Sequence, residues 1–317
     1  MSPTAVLLLN LGGPASLGDV RPFLLNLFLD RDIIKLGPAL LQPLIARLIV
    51  GLRLKEVCLR YAQIGGGSPI LGETEAQAAA LGVALASAGR PLEVRPVFRY
   101  TAPRAREVLQ DLRRKGIQRL LPVTLYPHAC QATTGSSLRE LEREATRLGL
   151  EVLPGIESYA TAPLYLDALE GLLRATLAQC PGATVVFSAH SLPLKQIESG
   201  DPYQGETLAT VEALKARLGA IPGGYRLGYQ SKVGPVAWLE PSLGEVLQGL
   251  SGRDVVVMPV SFVSEHIETL FELDIEYREK AEALGVGRYL RVPALGVDPR
   301  FIQCLTRLTL EALEQTP

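Results

Sequence analysis

The chain of 317 residues is poor in histidine, cysteine, methionine and tryptophan, with three, four, two and one of each. It also has no charge imbalance, since 32 Lys and Arg face 33 Asp and Glu. A formal charge of −1 leaves no basic stripe able to displace counterions from phosphates, so no nucleic-acid partner is expected. Cys58, Cys130, Cys180 and Cys304 are widely spaced and form no CxxC pair. They read as reduced thiols of a cytoplasmic protein, neither a disulfide framework nor a zinc ribbon. No basic segment precedes the first apolar run, Ala5 to Leu9, which is too short for a secretion signal and is expected to be a strand. Nucleotide-phosphate motifs are missing too: the glycine-rich loop at Gly65–Pro69 follows no strand and fits neither GxxxxGK[ST] nor GxGxxG. Nor is there an unbroken membrane-length apolar run. Ile33 to Leu52 comes nearest, but Lys35, Pro38, Pro43 and Arg47 interrupt it. That stretch fits an apolar lip or interfacial helix, or else a buried core helix from about Gln42 to Gly51.

What is present describes a soluble globular protein, 47% hydrophobic and 21% charged, long enough for two cores. Short apolar runs alternate with helical patterns, the signature of an α/β fold. Strands are expected at 6–10, 92–98, 119–125, 152–154, 184–188, 225–229, 255–260 and 289–292. Helices are expected at 20–29, 74–88, 104–115, 137–148, 162–179, 205–218, 242–250, 266–284 and 299–314. The strand exits recur in the same order: VLLLNLGGP, EVRPVFRYTAP and LLPVTLYPH are followed by VVFSAHSLP, YRLGYQSKVGP and VMPVSFVSEH. This predicts two similar Rossmann-like half-domains, each a parallel sheet flanked by helices, with the active-site cleft between them. The first is 1–160, with the lip at about 30–55, and the second is 161–317, with His190 and an acidic helix. Leu11, Arg99, Tyr100, His128, His190, Lys232, Trp238, His266 and Glu268 stand at the strand exits.

Glu268, Glu272 and Glu276 recur every four residues and would line one helix face. Such a face is commonly just solvated, and a lone histidine is commonly a satisfied core residue. Here, however, His266 and Glu268 lie just beyond a buried parallel strand, where open α/β sheets bind ligands. A site for a proton acceptor and a cation follows, with His190 and His266 as the titrating groups. On a regular helix His266 and Glu268 would point about 200° apart, so this is no HExxH zinc site. A bulged first turn would bring them closer. At the lip, Arg53, Tyr61 and Ser68 would suit the rim of a pocket for a large flat apolar ligand with acidic tails, and the glycine loop would offer backbone N–H groups to a carboxylate.

The segments NLGGP (10–14), LFLDRD (27–32), YAQIGGGSPI (61–70), FRYTAP (98–103), TTGSSL (133–138), FSAHSLP (187–193), GDPY (200–203), QSKVGPVAWL (230–239) and SEHIETLFELDIEY (264–277) resemble the ferrochelatases, in that family's order, from about Leu8 to Phe301. The resemblance implies a chelatase-like fold and insertion of Fe2+ into a porphyrin in haem biosynthesis. It implies that His190 receives pyrrole protons or binds iron, that Glu268 is its acidic partner and that His266 is the neighbouring catalytic histidine. Glu272 and Glu276 would form a metal or proton route, and His128 would be structural. Arg53, Tyr61 and Ser68 match positions near the propionates, while Leu11, Arg99 and Trp238 match other porphyrin-pocket positions. Leu11 stands where many coproporphyrin-type members have tyrosine, which favours protoporphyrin IX over coproporphyrin III. Porphyrin and ferrous iron are then the partners and iron is a substrate, with no permanently bound cofactor. No [2Fe–2S] cluster is expected, because only Cys304 lies near Pro317. A monomer or weak dimer is expected, with weak peripheral membrane contact through the lip. The rival readings are a cobalt or nickel chelatase for another tetrapyrrole and a two-lobed haem or metal binder without turnover.

Overall fold

The computed structural model describes residues 3–315. It contains two compact units, one comprising residues up to Ser158 together with those from Leu305 onward, the other Tyr159–Cys304. In the first unit the order is β1 (Thr4–Asn10), α1 (Val20–Leu29), α2 (Gln42–Gln63), α3 (Ile70–Ser87), β2 (Glu93–Phe98), α4 (Ala105–Arg114), β3 (Arg119–Thr124), α5 (Ser136–Leu148) and β4 (Glu151–Val152). The strands pair in parallel as β2-β1-β3-β4. A strand paired on both edges in such a sheet is covered on both faces, which is why β1 reads as a continuous apolar run without alternation. Ala5 through Leu9 are each at most 1% exposed. Ala5, Leu7 and Leu9 share one core with Val108, Leu109 and Leu112 of α4 and Leu141 and Ala145 of α5. Burying each such leucine contributes about 1.5–3 kcal/mol.

The second unit runs α6 (Pro163–Gln179), β5 (Thr184–His190), α7 (Leu194–Glu198), α8 (Tyr203–Leu218), β6 (Tyr225–Gln230), α9 (Leu243–Gln248) and β7 (Val255–Pro259). A π-helical segment (Glu268–Glu276) then leads directly into α10 (Tyr277–Ala283), followed by β8 (Tyr289–Arg291) and α11 (Pro299–Glu314). Its parallel sheet is ordered β6-β5-β7-β8, which repeats the first position for position. Valines of β5 and β7 pack with Leu243 and Leu247 of α9, Leu273 of the π segment and Ala281 of α10.

All eight expected strands form, with small shifts at their ends. Besides the short α7, which was not expected, three features differ from the expectation. Helix α2 passes Gly51 and continues to Gln63, because Val57 and Tyr61 extend the buried stripe begun by Ala46 and Val50. The helix expected over 266–284 is π-helical in its first part. The terminal helix α11 starts in the second unit, but its residues from Leu305 belong to the first. Among the described residues no helix is long and apolar enough to cross a membrane.

Candidate active site

The second unit gathers its chemistry at the carboxyl ends of β5, β6 and β7. His190 is the last residue of β5 and is half-buried. Its main chain is fixed on both sides: the N–H donates to Ser261 Oγ at 3.2 Å, and the C=O accepts from the Tyr203 hydroxyl at 2.8 Å. Tyr203 and Ser261 are themselves 2.7 Å apart, so three segments of chain meet at this residue. His190 Nδ1 lies 2.6 Å from the Ser191 carbonyl oxygen. A carbonyl only accepts, so Nδ1 carries a proton and Nε2 is the nitrogen left to give or take one. His266 repeats the device with Nδ1 3.1 Å from the Ser264 carbonyl.

Both free nitrogens point at one carboxylate. Glu268 Oε1 is 3.7 Å from His190 Nε2, and Glu268 Oε2 is 3.5 Å from His266 Nε2. An Nε2 lone pair facing this anion would repel it, and a proton or a cation held between them turns the repulsion into attraction. The separations resemble those of adjacent ligands each about 2.1 Å from one metal ion. Among the described residues no three His, Cys, Asp or Glu groups are arranged to hold a metal together, so the donors form open pairs. Phe262 packs edge-on against His266, with ring centroids 4.4 Å apart, and limits the swing of that ring.

His266 and Glu268 come together because His266 precedes the helical segment, whose π register opens at Glu268. With hydrogen bonds running i to i+5, the turn is wider than in an α-helix, and such turns cluster at functional sites. Residues four apart still fall on nearly the same side, so Glu268 and Glu272 remain neighbours in environment. Burial opposes the Glu268 charge, but the positive charge of the imidazoles when protonated, His190 first, and a hydrogen bond from His266 outweigh it and hold its pKa down at about 2. Glu272 moves the other way. Burial and then the Glu268 charge raise its pKa, although Ser231 and Gln230 donate hydrogen bonds to it. Two carboxylates with pKa values pushed apart can divide the labour, one a standing anion and the other a proton carrier. Glu276 is exposed at the far end of the row.

Sequence reasoning missed several supports of this site. Gln230 links the buried Ser188 hydroxyl to Glu272, with contacts of 2.7 and 3.1 Å. Ser231, at φ +63°, is the one non-glycine residue with positive φ among those described, a conformation that points its N–H and hydroxyl at Glu272. The GDPY block carried the signal for Tyr203, and the match of Pro122-Val123-Thr124 to Pro259-Val260-Ser261 carried that for Ser261. Trp238 is half-buried, forms a backbone bridge with Pro193, and its indole N–H is buried without a partner.

The remaining expected residues are in the first unit. Leu11 follows β1 and is half-buried. Arg99 is only 6% exposed, and its guanidinium meets Asp30 at 2.6 Å and Glu140 at 2.7 Å. Its charge is thus taken up inside the unit, with Tyr100 also donating to Asp30. His128 is buried, and loss of water alone drives its pKa down to about 3, so it remains neutral. Arg53 is half-buried on α2, and Tyr61 is buried near the end of that helix. The glycine loop departs from the expectation. The Gly66 N–H caps α2 by donating to Tyr61 C=O, and the Ser68 N–H donates to Pro14 C=O at 2.7 Å, so neither amide is open to a carboxylate. A side chain at Gly67 would strike the Ala15 carbonyl, which is why the loop is glycine where it crosses the β1 exit. The lip is an apolar surface: α2 exposes Leu44, Leu48, Leu52 and Leu59, and Leu40 just before it is 95% exposed.

The sequence model of the family Ferrochelatase matches residues 3–313. A ferrochelatase of Geotalea uraniireducens (strain Rf4) is 46% identical over 312 residues, covering 96% of each chain. One of Synechocystis sp. is 44% identical over all of this chain and 84% of its own length. In fold, the sirohydrochlorin chelatase SirB from Bacillus subtilis subspecies spizizenii, solved in complex with cobalt, superposes with a TM-score of 0.58 at 13% identity over 99% of this chain and 97% of that one. The chain belongs to the ferrochelatase family, lyases that insert iron into porphyrin in haem biosynthesis.

Proposed function

We propose that this protein inserts Fe2+ into protoporphyrin IX to form protohaem with release of two protons. The observation that carries the reading is the convergence of His190 Nε2 and His266 Nε2 on the two oxygens of Glu268. A porphyrin must lose two in-plane N–H protons while a hydrated metal ion is stripped and delivered, so a base and a metal-holding carboxylate are both needed. His190 takes a pyrrole proton at Nε2, because its Nδ1 is already engaged. Glu268 stays ionised and, with His190, holds the arriving iron, while His266 balances the Glu268 charge. Glu272, whose carboxyl binds its proton more tightly, carries protons away toward exposed Glu276, and the same row serves metal entry. Porphyrin contacts are assigned to Leu11, Arg53, Tyr61, Ser68 and Trp238. Arg99 is assigned to the same pocket through the residues it orders, since it is already paired with Asp30 and Glu140.

Iron is a substrate, and no permanent cofactor or iron–sulfur cluster is invoked. The working unit is a cytoplasmic monomer or weak dimer. The exposed leucines of α2, with Arg47, Arg53 and Lys55 among them, suit weak contact with an anionic membrane surface.

Anaerobic ferrous-iron insertion, followed by absorbance with protoporphyrin IX and coproporphyrin III separately and in competition, tests the proposal. A higher kcat/KM for protoporphyrin is expected. Preference for coproporphyrin would keep the mechanism and overturn the substrate, and absence of insertion into either would overturn both.

A further inference from the structure

The π segment that carries Glu268 and Glu272 is an unusual register, and unusual registers persist only where tertiary contacts over-determine them. Those contacts come from β8, the edge strand that pairs with β7 in the second unit's sheet. Arg291, the last residue of β8, is 8% exposed. Its guanidinium forks onto Asp274 in the middle of the π segment, with Nε to Oδ1 at 2.8 Å and Nη2 to Oδ2 at 2.6 Å. Nη1 reaches Glu265, in the turn just before His266, at 2.8 Å. Glu265 Oε1 also accepts the Ala294 N–H at 2.9 Å, which ties the turn to the chain following β8. From the same strand the Tyr289 hydroxyl donates to the Leu273 carbonyl at 2.9 Å, a helix carbonyl held from outside the helix. One cation therefore spans Glu265 to Asp274, and every catalytic group of this segment, His266, Glu268 and Glu272, lies inside the span.

We infer that Arg291 is a positioning residue for iron insertion: its fork on Asp274 and its bond to Glu265 hold the segment in the π register that brings Glu268 between the two imidazoles. Arg291 touches neither substrate nor the reacting atoms. Were the span released, reversion toward α-helical hydrogen bonding would rotate Glu268 relative to Glu272 and His266, since each residue advances about 100° around an α-helix. A lysine at 291 keeps the charge but not the planar two-point grip on a carboxylate.

The inference rests on the assignment of Glu268 to the reaction centre, so Glu268→Gln belongs in the same experiment. Arg291→Lys and Glu268→Gln are compared with Val255→Ala, which removes buried volume from β7 and matches a general loss of stability. The readouts are steady-state iron insertion and amide hydrogen exchange. For Arg291→Lys the expectation is a kcat lower by about 10- to 100-fold, the penalty of an ångström-scale misplacement, with porphyrin KM within about twofold. Exchange should quicken across 265–276 and not across β5 or α6. Val255→Ala should quicken exchange broadly and leave kcat within about twofold. A normal kcat in Arg291→Lys beside an inactive Glu268→Gln overturns the positioning role alone. Exchange in Arg291→Lys as broad as in Val255→Ala overturns it as well, and an active Glu268→Gln overturns the reading beneath it. Should Arg291→Lys not fold, Asp274→Asn removes the anionic end of the grip and is judged by the same criteria.

Discussion

The two units are built to one plan and put to different uses. Each has a central strand that comes first in its sheet, the same parallel order, and a π distortion after its third strand, at Gln131–Gly135 in the first and Glu268–Glu276 in the second. In the first unit the histidine after that strand, His128, is sealed in the core and held neutral, and the main charges cancel internally as Arg99 binds Asp30 and Glu140. In the second, His190 and His266 stay half-buried and share one carboxylate. On the proposed assignment the scaffold does not decide which half reacts. Access to solvent and the number of unspent donors do, and both depend on a few side chains at the strand exits.

Exchanging the fate of the histidines breaks this comparison most severely. His190→Ala should lower kcat by about 10²–10⁴-fold, the usual worth of a positioned base, while porphyrin still quenches fluorescence on binding. His128→Ala should leave kcat within about twofold and cost about 1–3 kcal/mol of stability in urea unfolding. Equal losses of activity would erase the contrast.

Next in size is the internal charge of the first unit. Arg99→Met strands Asp30 without its cation, leaves Glu140 with Arg104 alone, and should destabilise the fold by about 3–5 kcal/mol in denaturant titration. A fold of normal stability, coupled with a raised porphyrin KM, would instead make Arg99 a direct substrate contact.

The smallest effect sharpens the picture of Glu268. Its pKa of about 2 lies below the ordinary 4.5, so the stability it contributes is complete above 4.5 and is lost as pH falls through 2. The gap in unfolding free energy between the native chain and Glu268→Gln should therefore close between those values. A gap that widens on acidification would mean that the histidines do not hold the carboxylate in its charged form.

Much of this was legible in the amino acids. Parallel strands buried on both faces announce themselves as apolar runs, so all eight were found, and the repeated strand exits announced the duplicated plan. The four-residue spacing of Glu268, Glu272 and Glu276 marked the acidic row. The pairing of His266 with Glu268 was opposed by ideal helix geometry, because His266 lies before the helical segment in a turn tied by distant contacts such as Arg291 to Glu265, which leave no local pattern. Arg99 looked like a pocket cation because its partner Asp30 is 69 residues away, beyond the reach of spacing arguments. Helix α2 was cut short at Gly51, where tertiary burial of Val57 and Tyr61 overrides the local weakness of glycine.

The acceptors that fix both ring tautomers, the carbonyls of Ser191 and Ser264, belong to the main chain. No point substitution deletes a peptide oxygen. Genetic drift or engineering can remove either imidazole outright, yet neither can readily turn its reactive nitrogen away while the backbone keeps its course. Each ring is therefore left presenting the same nitrogen, Nε2, to Glu268, and the orientation of both side chains is written into the path of the polypeptide.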